Sequence, residues 1–75
     1  MIEVPSKRKM IREMTTKTPE QKVIYLTFML ENLKMQGQDT PLYDTKLEWI
    51  QNQIYINNNV KTIIDLQHGL DAFME

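Results

Sequence analysis

His68 is the only imidazole in the 75-residue chain, and Asp65 and Asp71 stand three residues to either side of it. Residues three apart share a helix face, so the three side chains could in principle meet one cation. Nothing else in the sequence develops that chemistry. No nucleophile is framed beside His68 as its base. The absence of cysteine removes thiolate zinc sites, iron-sulfur clusters, thiol nucleophiles and disulfides together. With Gly37 and Gly69 the only glycines, there is no glycine-rich phosphate loop and no Gly-x-Ser-x-Gly elbow. The Asp65, His68 and Asp71 set therefore reads as a solvated polar face. The expectation is a non-enzyme with no catalytic residue, no metal site and no cofactor.

A second group that could act chemically is the cationic cluster of Lys7, Arg8, Lys9 and Arg12. Such a cluster attracts phosphates whatever the base sequence, which makes nucleic acid an alternative partner through residues 7–12. Charge is split along the chain: residues 1–18 carry a net charge of plus three and residues 19–75 minus four. Sequence-specific readers place a basic helix in a groove, and the acidic remainder of this chain opposes that use. A nonspecific basic arm remains open, as does an arm that folds back on its own acidic body.

The third group is apolar. Tyr25, Phe28, Met29, Met35, Trp49 and Tyr55 lie off the tightest hydrophobic stripes of the helices predicted below. Aromatic residues and methionine are enriched at the centres of protein interfaces, because they bury much area at a small cost in conformational entropy. These six form the predicted partner-binding set, with Phe28 and Trp49 as anchors. The partner class is a larger protein or a second copy of the chain.

The elements that must position these groups are helices. Thr18-Pro19-Glu20-Gln21 combines an N-cap hydroxyl, a proline at the first helical position and a glutamine that closes a capping box. Val23, Leu26, Leu30 and Leu33 follow at helical spacing, and Gly37 supplies a stop. Asp39-Thr40-Pro41 repeats the start signal for a second helix, whose stripe is Tyr43, Leu47, Ile50 and Ile54. Asn57-Asn58-Asn59 predicts a turn, and Ile63, Leu66, Leu70 and Phe73 then mark a third helix over about 59–74. A rival local reading places strands at 53–56 and 60–64 around the asparagines. Leu26, Leu30, Leu47 and Ile50 are expected to serve the fold.

Residues 1–17 form a basic arm that either is flexible or contains a short helix capped by Ser6, with Met10 and Met14 on one side. The arm is expected to be dispensable for folding. Residues 18–75 form the helical domain. Altogether the sequence predicts an all-α fold, a small three-helix bundle that admits a short fourth helix at the N-terminus. No apolar run approaches the roughly 20 residues of a membrane span, and Glu3 and Pro5 interrupt any leader-like stretch. A soluble, cytoplasmic protein without membrane contact is expected. A domain this short buries little core, so a partner or oligomer is a natural supplement.

Overall fold

The computed structural model describes the backbone of residues 3–74 and the side chains of residues 3–67. It is all-α: α1 spans Lys7–Met14, α2 spans Pro19–Gln36 and α3 spans Tyr43–Met74, with no strand among the described residues. No helix among them is long and apolar enough to cross a membrane.

The strongest local signal in the sequence is realised at the start of α2. The Gln21 amide donates to Thr18 Oγ1 at 3.2 Å, and the Thr18 amide donates to Gln21 Oε1 at 3.1 Å. Two otherwise unpaired donors are thus satisfied reciprocally. At the other end Gly37 adopts φ 86°, where a side chain would strain the backbone, and its amide closes on Leu33 O at 3.1 Å.

The second predicted start is displaced. Thr40 donates its amide to Gly37 O, and Tyr43 donates to Thr40 O, so residues 39–42 are spent on turns. Leu42 completes the reversal at φ 59° with its side chain 70 % exposed, and α3 begins only at Tyr43. The Thr40-Pro41 pair therefore serves a turn and not an N-cap.

The predicted break at Asn57-Asn58-Asn59 does not occur, and neither does the hairpin over 53–64: α3 runs through both as one helix of 32 residues. Asparagine in a helix interior costs only tenths of a kcal/mol relative to alanine, because its amide has competing local partners. Here that competition is resolved inside the helix. Asn57 donates its side-chain amide to Gln53 O at 2.7 Å and is buried, while Thr62 donates its hydroxyl to Asn58 O at 2.9 Å. The periodic set Ile50, Ile54, Asn57, Lys61 and Ile64 carries the α2-facing stripe straight through the asparagines.

α2 and α3 form the principal packed pair. They are antiparallel, since Glu20 at the start of α2 lies 4.0 Å from Lys61, and Pro19 lines a groove with Ile64 and Asp65. α3 therefore continues past the start of α2 by roughly 14 Å at 1.5 Å per residue. The molecule measures 54 × 19 × 19 Å, and its radius of gyration of 15.0 Å exceeds the roughly 11 Å of a compact chain this long.

The core consists of Val4, Met10, Met14, Leu26, Met29, Leu33 and Ile50, flanked by Tyr25, Leu30, Tyr43, Leu47, Trp49 and Ile54. Three of these, Val4, Met10 and Met14, come from the N-terminal arm that the sequence marks as dispensable. It contains the short helix, and that helix packs through Met10 and Met14. Unbranched, polarisable methionine fills irregular gaps, so a pair of them can seat a helix that lacks a leucine stripe. Lys46 Nζ donates to Val4 O at 3.3 Å and ties down the segment before α1.

α1 starts against its own electrostatics. Ser6 caps it by accepting from the Lys9 amide at 3.3 Å, yet Lys7, Arg8 and Lys9 place three cations in the first turn and no acid stands there. Unpaired backbone amides already concentrate positive charge at that end. Lys9→Glu removes one cation and lets Ser6 form a capping box. It should stabilise the chain by about 1 kcal/mol, as read by thermal melting at low salt, with the gain shrinking as salt is added.

Candidate functional site

The six predicted partner-binding residues divide into three groups. Phe28, Met35 and Tyr55 are exposed, at 50 %, 68 % and 69 %. Trp49 and Tyr25 are half-buried against the core. Met29 belongs to the core at 5 % exposure, because it falls three residues after Leu26 and four before Leu33 on the α3-facing side of α2. Met29 is thus removed from the surface set.

Tyr25 joins α1 to α2. Its hydroxyl donates to Glu13 Oε2 at 2.5 Å, and Lys17 Nζ sits 5.5 Å from its ring centroid. Burial, the hydrogen bond to Glu13 and the Glu13 charge all push the phenol well above its ordinary range, so it stays neutral and donating. Trp49 faces the opposite side of α1. It lines one groove with Ile11, Met14, Thr15, Lys22 and Gln53, and a second with Lys7, Thr45, Glu48 and Asn52. Both rings hold α1 in place.

Sequence reasoning missed several exposed apolar residues. Ile24 on α2 is 65 % exposed and shares a face with Phe28 and Met35, at spacings of four and seven. On α3, Ile56, Val60, Ile63 and Leu66 are exposed, although the sequence offers Ile63 and Leu66 as the apolar stripe of a separate third helix. Their displacement follows from the continuous α3. With no turn at 57–59, the chain after it cannot fold back onto the bundle. Following the stripe Ile50, Ile54, Asn57, Lys61 and Ile64 through the asparagines would have placed Ile56 and Ile63 on another face.

Lys7, Arg8, Lys9 and Arg12 are all exposed on α1; Arg8, Lys9 and Arg12 lie off the face of buried Met10 and Met14, whereas Lys7 shares that face and borders the groove at Trp49. Asp65 is exposed at the edge of the groove with Pro19 and Lys61. The side chains of His68 and Asp71 lie outside the described residues, so the polar set around His68 has no geometry here. Among the described residues no three His, Cys, Asp or Glu side chains are placed to share a metal ion. Comparison with protein-family models, curated proteins and solved structures finds no match to this chain.

Proposed function

We propose that this chain is a small regulatory or accessory protein of the cytoplasm that acts by binding another protein and not by catalysis. The observation that supports the reading is the outward stripe Ile24, Phe28 and Met35, three large apolar side chains at least half exposed on one face of α2. Burying such side chains elsewhere removes apolar area from water, whereas leaving them out gives the isolated chain nothing. Phe28 is the anchor. Trp49, the other anchor expected from the sequence, is reassigned to holding α1.

The full chain, immobilised and exposed to its native cytosol, should capture a partner that the Phe28→Ala and Met35→Ala double variant does not. Loss of an interface anchor worth about 2 kcal/mol or more corresponds to at least a roughly 30-fold weakening. Both substituted residues are exposed, so the helical circular dichroism spectrum should be unchanged. Undiminished capture by the folded double variant would refute the assignment.

A second reading has its own support: the four cations of α1 are free of the core and lie on one short helix. A nucleic acid bound there would be recognised through its phosphates. Its affinity would fall steeply with added salt, while capture through α2 would change little.

A further inference from the structure

We propose that the outer stripe of α3, centred on Ile56, Ile63 and Leu66, pairs two copies of this chain. The inference rests on reading the chain as a protein-binding module, and it names a partner for a face other than that of Phe28.

The stripe has the period of a helix seam. Trp49, Ile56 and Ile63 recur every seven residues, Asn59 and Leu66 interleave after three, and the sequence continues the spacing to Leu70 and Phe73. Residues at these positions act as knobs that fit between the side chains of a second helix. Within the chain α1 is that second helix, but only at the beginning. It flanks Trp49 and Gln53 through Ile11 and Met14, and α1 ends at Met14. One heptad further on, Ile56 is 50 % exposed, and Ile63 and Leu66 follow at 56 % and 62 %. The unpartnered stripe is thus the continuation of an interface that the fold has already begun.

Charge selects the occupant. The positions that would border a paired seam are Tyr55, Val60, Thr62 and Gln67, none of them charged. Lys61 and Asp65 lie on the side of α3 that meets the start of α2. A strongly acidic or basic partner would find no complement along this stripe. A second copy brings the same uncharged borders, and with a net charge of only minus one on the whole chain two copies can meet along this stripe without a charge clash.

The position of α1 sets the orientation. Parallel copies would bring both α1 helices to the same level of the seam, where each already occupies the stripe at Trp49 and Gln53. An antiparallel pair carries them to opposite ends and sets Ile63 against Leu66 of the partner subunit. From Ile56 to Leu66 the exposed seam is roughly 15 Å long, so its buried area falls at the small end of specific interfaces, and the dimer should be reversible in the micromolar range.

Sedimentation equilibrium of the full chain, from about 1 µM to about 0.2 mM, reads this directly. The expected result is a rise from one chain mass to two. Ile63→Glu and Leu66→Lys each place a charge in the seam and should weaken dimerisation at least tenfold with helicity unchanged, whereas Phe28→Glu should leave it intact. A wild-type chain that stays at one mass throughout would overturn the proposal, and so would dissociation by Phe28→Glu but not by the seam variants. Capture through Phe28 and Met35 is read separately, so either idea can fail alone. The chain has no native cysteine, which makes Asn59→Cys a clean reporter of orientation. In an antiparallel pair the two copies of residue 59 lie about 16 Å apart along the axis, too far for a disulfide. A disulfide dimer formed through Asn59→Cys would overturn the antiparallel arrangement.

Discussion

Met10→Ala should lower the unfolding free energy by about 2–5 kcal/mol, the range for emptying a fully buried methionine site. Met10 is completely inaccessible and sits on a helix of eight residues. Isolated helices that short are not stable in water, so α1 exists because its side chains are packed. Removing the Met10 side chain takes away the central contact and leaves Met14, Val4 and the Tyr25–Glu13 hydrogen bond to hold the segment. Urea denaturation followed by circular dichroism reads the loss. Arg12→Ala, on the exposed side of the same helix, is the control and should stay within about 0.5 kcal/mol of wild type. A Met10→Ala protein as stable as the control would return the N-terminal segment to the role of a dispensable arm.

Ile50→Ala should cost a similar 2–5 kcal/mol and loosen the other side of the bundle. Among the described residues of α3, Ile50 is the one apolar side chain that reaches zero exposure, and it meets a core whose α2 share is Leu26, Met29 and Leu33. For a chain of 75 residues the whole margin is about 4–11 kcal/mol, so this one truncation can take up to half of it or more. Ile56→Ala, six positions along the same helix but half exposed, should cost about 1 kcal/mol or less when the chain is monomeric. Equal losses at the two positions would mean that Ile56 is covered by the bundle and is not free to bind.

What could be read in the sequence was local and strongly signalled. The Thr18–Gln21 capping box, the Gly37 stop and the Leu26–Leu33 stripe each depend on neighbours within one or two turns, and all are present in the fold. The Asn57-Asn58-Asn59 turn does not form because the propensity cost of asparagine is small and Asn57 is buried with its side-chain amide donated to the Gln53 carbonyl of the same helix. With the helix continuous there, Ile63 and Leu66 are exposed on α3 and do not form the stripe of a separate helix. α1 was undervalued for the opposite reason: two methionines carry little periodic signal, yet both are buried. Of the binding set, Phe28, Met35 and Tyr55 were placed correctly on the outside. Met29 is buried because it lies between Leu26 and Leu33 on the side of α2 that faces α3, and Trp49 and Tyr25 are half-buried because α1 lies beside them, a placement that no local pattern gives.

The account divides the apolar residues into those that make the fold and those that are held outside it for binding. A thermal melt of the quadruple variant Ile24→Ser, Phe28→Ser, Ile56→Ser and Ile63→Ser, at a dilution where the wild-type chain is monomeric, tests that division. Serine ranks close to isoleucine and phenylalanine in helix propensity, so the helices themselves should tolerate the change. The account predicts a cooperative transition whose midpoint falls by less than the single Ile50→Ala change lowers it. A collapse of the transition, or a midpoint lowered as far as Ile50→Ala lowers it, would contradict it, because the four side chains would then be part of what holds the bundle together.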